Sequence, residues 1–154
     1  MELNTKGRYA VTAMADLAKY GAEGAIPLSA IAEREQISIA YLEQLFLKLR
    51  RAGLVESARG RLGGYRLCRP ADSITIAQIM SAVEEDTRMT RCGGEASAPC
   101  LSGRRCITHA LWDSLGEHIA GFLENVTLQQ VIEGLPRSGG SARIGAREIG
   151  FAVE

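Results

Sequence analysis

Apolar residues recur at helical spacing from the start of the chain. "TKGRYAVTAMADLAKYG" sets Tyr9, Val11, Met14, Leu17, Ala18 and Tyr20 near one face, and Gly21 is a natural stop, which predicts a first helix. Pro27 then introduces "LSAIAEREQ", a short helix with Ser29 as the expected cap and Ile31 turned inward. In "ISIAYLEQLFLKLRRAG", Ser38 offers an N-cap. Leu42, Leu45, Phe46 and Leu49 follow at i, i+3, i+4 and i+7, and Gly53 sits where a helix ends. A short helix and a longer one meeting across "QIS" form a helix-turn-helix pattern.

After Gly53 the period shortens. "LVESA" and "YRLC" alternate as strands do, and they flank "RGRLGG", whose glycines suit a hairpin that needs positive φ. "SITIAQIMSAVEE" returns to helical spacing, with Thr75 as the cap and Ile76, Ile79, Met80 and Val83 inward. Residues 87–105 have little apolar content and no period, so they read as a loop. "CITHALWDSLGEHIAGFLENV" then puts Ile107, Leu111, Leu115, Ile119 and Phe122 on one long stripe, and "TLQQVIEG" is a last short helix between Thr127 and Gly134. The stretch from Pro136 onward has no usable pattern. The fold class expected is mostly α with a small β-wing. Its parts are a winged helix-turn-helix domain over 1–86, a ligand-rich loop over 87–106, a long helix and short terminal helix over 107–135, and a disordered tail over 136–154.

Charge sharpens this picture. The chain is formally neutral, yet from Lys48 to Arg69 seven basic residues (Lys48, Arg50, Arg51, Arg59, Arg61, Arg66, Arg69) face one acid, Glu56. A one-sided excess of six can attract a polyanion, although a solvated basic face gives the same count. The order of short helix, long helix and glycine hairpin decides for double-stranded DNA. The outward face near the start of the long helix carries Ala40, Tyr41, Glu43 and Gln44. Gln44 can make two hydrogen bonds to adenine. Glu43 can accept from a cytosine amino group, and it penalises sites that offer no donor. Lys48, Arg50 and Arg51 follow where phosphates pass, and Arg59, beside Gly60 in the wing, suits a narrow minor groove.

The second concentration of chemistry is "TRCGGEASAPCLSGRRCITHALW", which holds Cys92, Cys100, Cys106 and His109. Cys106 and His109 are three apart at the expected start of a helix, so they share a side. Three thiolates and an imidazole suit tetrahedral zinc or an iron–sulfur cluster, and spacing alone does not choose between them. Arg91, Arg104 and Arg105 favour an anionic thiolate centre. A metal here organises a loop that has no apolar core of its own. Cys68, alone in a strand pattern, is expected to be a packed side chain, and His118, in the middle of the long helix, to be structural.

"TKGRYAVTAM", "YLEQLF", "KLR", "GLV", "GGY" and "CITHALW" together resemble the IscR family of bacterial iron–sulfur cluster assembly regulators, over about residues 1–134. The resemblance implies a homodimer that reads promoter DNA through paired winged helices and holds one [2Fe–2S] cluster per subunit on Cys92, Cys100, Cys106 and His109. It implies a repressor and activator that senses cluster status, controls cluster assembly genes and receives its cluster from donor proteins. Tyr41, Glu43 and Gln44 take the base-reading positions and Arg59 the minor-groove position. Three departures stand out: seven residues separate Cys92 from Cys100 where the family commonly has five, the wing carries Arg61 and Leu62, and Ala40 replaces a common serine. A nitric-oxide-sensing branch of the same fold holds a [4Fe–4S] cluster, but "RYAVTAM" and "CITHALW" side with cluster assembly.

Other classes are weaker. A three-Cys, one-His zinc protein that binds RNA would carry aromatic residues within the finger, and none lies between Cys92 and Cys106. An electron carrier has no use for a basic wing. There is no catalytic triad, acid pair or phosphate loop, so no enzyme is expected. Neither a signal-peptide pattern nor a run of the roughly 18 apolar residues needed to span a bilayer is present, so a cytoplasmic protein away from membranes, with reduced thiols, is expected.

Overall fold

Three hydroxyl side chains start three helices. Ser38, Thr75 and Thr127 lie in extended backbone and accept from the amides of Tyr41, Gln78 and Gln130 at 3.3, 3.3 and 3.2 Å. The Gln78 and Gln130 side chains accept in return from the Thr75 and Thr127 amides, at 3.2 and 2.9 Å, which completes two capping boxes. The computed structural model describes residues 5–61, 63–85, 100 and 104–135. Its elements are α1 (Thr5–Tyr20), α2 (Leu28–Glu35), α3 (Ile39–Arg51), β1 (Val55–Ala58), β2 (Gly64–Leu67), α4 (Ile76–Ala82), α5 (His109–Asn125) and α6 (Leu128–Glu133). The expected tail and most of the expected loop lie outside the described residues.

The core gathers Leu42, Leu45, Phe46 and Leu49 of α3 with Met14 and Leu17 of α1, Ile31 of α2, Ile76, Ile79 and Met80 of α4, and Leu128 of α6. Two expectations need correcting here. Tyr20 is 46% exposed, and the buried face of α1 is built instead on Gly7, Ala10, Ala13, Met14, Asp16 and Leu17. Small residues are required because α4 comes close: a Cβ on Gly7 would lie 2.7 Å from Met80 Sδ and 2.8 Å from Glu85 Cγ. Ser29 does not cap α2 either. That helix begins at Leu28, directly after Pro27 in extended backbone, so Ser29 already lies in the first turn.

Asp16, 3% exposed, is the charged residue of this core. Arg34 donates to both of its carboxylate oxygens, at 2.7 and 2.6 Å, and lies 4.5 Å over the Tyr20 ring. The bidentate bond to Asp16 raises the Arg34 pKa and ties α2 to α1.

β1 and β2 pair antiparallel from Val55↔Leu67 to Ala58↔Gly64. This hairpin is fastened to the body twice. Tyr65 exchanges two 2.8 Å backbone hydrogen bonds with Ile26, and its ring meets Phe46 edge-on at 4.8 Å. Gly64 makes this possible, because a Cβ there would fall on the Ile26 carbonyl. Rigid backbone cannot yield as a flexible side chain does. Gly64→Ala is therefore expected to cost about 1–3 kcal/mol in urea denaturation. Unchanged stability would show that the Ile26 strap contributes nothing.

Candidate nucleic-acid interface and thiol corner

α2 and α3 meet through Gln36, in left-handed backbone at φ 53°, and Ile37, which is buried. With its four-residue apolar stripe inward, α3 turns Ala40, Glu43, Gln44, Leu47, Arg50 and Arg51 to solvent. Tyr41 is less available than the sequence suggests: it is half-buried, and its ring packs edge-on to Tyr9 at 5.9 Å. Lys48 is half-buried and pairs with Glu84 at 2.5 Å, a contact that lowers the Glu84 pKa. Glu84 itself has φ 58°, and its carbonyl accepts from Lys6 Nζ at 2.8 Å. No sequence pattern announced this tie between α1, α3 and the end of α4, because it joins residues 36 and 78 positions apart.

At the wing, Arg59 and Arg61 are exposed on either side of Gly60, whose φ of 118° excludes most other residues. The Gly63 amide closes the turn on the Gly60 carbonyl at 2.9 Å. Cys68 is not the packed strand residue expected. β2 ends at Leu67, so the alternation that would have turned Cys68 inward has already stopped, and the residue is exposed. Partial burial of its thiol still raises its pKa.

The thiol corner lies at the other end of the molecule's chemistry, before α5. That helix starts at His109, three residues later than the sequence pattern suggested, and the turn is closed by the His109 amide on the Cys106 carbonyl at 3.1 Å. His109 is 6% exposed, and its Nδ1 lies 3.0 Å from Cys100 Sγ. The Cys106 thiol lies 3.7 Å from the Thr108 hydroxyl. A hydrogen bond from Thr108 is the main reason its pKa is lowered; burial opposes this, and a hydrogen bond with Cys100 assists it. Two sulfurs and a buried imidazole nitrogen thus converge on one corner. Cys92 and Arg91 lie outside the described residues, and no group of three or more ligating side chains among the described residues is drawn around a metal-sized centre. His118 is exposed and sits further along α5, its Nδ1 2.8 Å from the Ser114 carbonyl oxygen.

The stripe that follows does not enter the core. Ile107, Leu111, Trp112, Leu115 and Phe122 are 101, 61, 41, 38 and 59% exposed. Beyond His109, α5 joins the core at its far end, through Leu123 and the buried Val126 that follows it. Among the described residues no helix is long and apolar enough to cross a membrane.

A helix-turn-helix with a basic hairpin and a thiol corner narrows the comparison with known proteins. The family model described as "Rrf2: Iron-dependent Transcriptional regulator" matches residues 3–134. The chain belongs to the Rrf2 family. It is 56% identical over 133 residues to a provisionally named HTH-type transcriptional regulator of Neisseria meningitidis, covering 86% of this chain and 88% of that one. It is 50% identical over 132 residues to the HTH-type transcriptional regulator IscR of Photobacterium profundum, covering 86% and 76%. Among solved structures, IscR of T. potens aligns with a TM-score of 0.72 at 33% identity, covering 92% of this chain and 93% of that one. CymR, the global cysteine regulator of B. subtilis, aligns at 0.72 and 34%, covering 86% and 97%. The resemblance to IscR and the winged helical fold therefore stand, and this Rrf2-family chain is a DNA-binding transcriptional regulator rather than an enzyme. Two residues of these surfaces were missed in the sequence. Thr108 is visible only as a hydroxyl two residues after Cys106. Leu47 is visible as an apolar position off the buried stripe.

Proposed function

We propose that this Rrf2-family regulator senses iron–sulfur cluster supply through a [2Fe–2S] cluster and controls cluster assembly genes as a homodimer. The observation that carries this reading is the approach of Cys100 Sγ to His109 Nδ1 at 3.0 Å, with Cys106 beside them in the turn before α5, the helix with the exposed apolar stripe. The donor set fits such a cluster: soft sulfurs, one with its thiolate already favoured, beside a buried imidazole. Cys100, Cys106 and His109 would hold it together with Cys92. When bound, the cluster supplies a redox-active, oxygen-labile centre whose presence reports iron and sulfide supply.

The chain's own residues do the rest. The Thr108 hydroxyl stabilises the Cys106 thiolate, so that sulfur is ready to receive a cluster from a donor protein. His109 belongs to both the ligand corner and α5, so ordering the corner fixes the start of that helix. In a twofold dimer packed through α5, a small reorientation there changes the spacing of the two reading heads. In each head, Glu43, Gln44 and Arg50 face the major groove and its phosphates, Tyr41 borders that face from its packing on Tyr9, Lys48 reaches a phosphate only by leaving Glu84, and Arg59, Gly60 and Arg61 follow the minor groove.

Anaerobic purification is the test. The expected protein is brown, with iron and sulfide each at about two per chain, as the proposed cluster composition requires. Its filled and empty forms are expected to differ in affinity for at least one class of operator. A colourless protein with stoichiometric zinc would overturn the cofactor, and identical operator affinities would overturn the sensing.

A further inference from the structure

We propose that Leu47 is a specificity-determining residue that packs against the C5-methyl group of a thymine in the major groove. This rests on the reading of α3 as the groove helix. At about 100° per residue, Ala40, Gln44, Leu47 and Arg51 form one line on α3, at i, i+4, i+7 and i+11. That line is diametrically opposite the buried stripe of Leu42, Leu45, Phe46 and Leu49. Leu47 is 40% exposed, so the fold leaves its side chain at the centre of the outward face.

A single exposed leucine is ordinary on a protein surface. The position is what gives this one meaning. Leu47 is four residues from Glu43 and three from Gln44, so its side chain neighbours both candidate reading groups on the helix surface. It lies about 14 Å along the helix from the Ser38 cap, between the base-reading start of α3 and the basic end at Arg50 and Arg51. The exposed basic residues around this face, Arg50, Arg51, Arg59 and Arg61, complement a polyanion, which makes duplex DNA its occupant.

On base edges in the major groove the thymine methyl is the apolar feature, and the other edge groups are hydrogen-bond donors and acceptors. A leucine has nothing to offer an amino group or a carbonyl and leaves either one desolvated. It gains only where a methyl faces it. The same side chain keeps water from Glu43, so the carboxylate loses more where no cytosine amino group is present. Leu47 therefore selects twice: directly for a methyl, and indirectly by sharpening the discrimination at Glu43.

The test uses the full-length protein and a duplex that it has selected from a randomised pool. Each thymine is replaced in turn by deoxyuridine, which deletes only the methyl. One replacement per half-site is expected to weaken wild-type binding about fourfold, the worth of one buried methyl. Leu47→Ala is expected to weaken binding to the unmodified duplex by at least as much, and to be indifferent to that same deoxyuridine. Alanine favours helix at this exposed site, so the variant folds. Additive losses, or no sensitive thymine, would overturn the assignment. Gln44→Ala serves as the control. If it loses selectivity while the deoxyuridine scan is silent, only the Leu47 contact falls; if both are silent, α3 is not the reading helix and both readings fall.

Discussion

Cys106→Ala protein isolated without oxygen is expected to lack almost all of the iron, sulfide and visible absorption of the wild type, and His109→Ala is expected to hold its cluster weakly. The reason is the geometry of the corner. Cys106 is the sulfur whose thiolate is favoured by the Thr108 hydroxyl and by Cys100, so its loss removes the best-prepared ligand. His109 is buried with Nδ1 facing Cys100, and no nearby residue in the described turn offers a replacement nitrogen. Structural zinc centres with four such ligands bind with roughly 10–16 kcal/mol, and on that scale one ligand of four is worth about 3 kcal/mol, or about a hundredfold in retention. Iron and sulfide analysis after dialysis reads this directly. Both variants are expected to keep their affinity for operators that the empty wild type also binds, because Cys106 and His109 lie in the turn before α5 and at its first residue, outside α3 and the wing. Wild-type iron content in His109→Ala would remove the imidazole from the ligand set. Lost DNA binding at every operator would mean that the corner supports the fold rather than reports on it.

The elements that local chemistry dictates were legible in the sequence. Ser38, Thr75 and Thr127 cap the helices they are expected to cap, because each stands in extended backbone directly before the first helical residue, as Ser29 does not. Gly60 adopts the positive φ that its place in the hairpin required. What was not legible depended on distance in sequence or on where a period stops. Tyr20 fits the apolar period, yet its ring lies outside the core beneath Arg34, whose partner Asp16 is 18 residues away. Cys68 continues the parity of a strand that ends one residue earlier. In the ligand corner the residue types were legible, but the roles of Thr108 and of the turn before α5 were not, because a hydroxyl near a thiol has no period. On α3 the buried stripe was plain, and its outward complement, including Leu47, followed only once that face had been fixed. The position of Lys48 alone points to phosphates, and its pairing with Glu84 shows that a basic residue on a groove helix can already have an intramolecular partner.

Leu111→Glu is expected to turn the proposed dimer into a monomer and to lower its operator affinity by orders of magnitude. Leu111, Leu115, His118 and Phe122 fall at i, i+4, i+7 and i+11 of α5, with Trp112 and Ile119 alongside. A 17-residue helix is about 25 Å long, enough to lie along a twofold mate. Burying a leucine contributes about 2 kcal/mol, and a twofold interface repeats every substitution, so the change removes about 4 kcal/mol even before the carboxylate is desolvated. That corresponds to roughly a thousandfold in dimer dissociation. Leu111 is 61% exposed within its own chain, so the monomer loses no core contact and its circular dichroism is expected to stay unchanged. Sedimentation at micromolar concentration separates the two species. A monomeric head meets one half-site where the dimer meets two, so DNA affinity falls with assembly, not with folding. A variant that stays dimeric would move the interface off this face of α5, and the ligand corner at the head of that helix would then have no lever on the spacing of the reading heads.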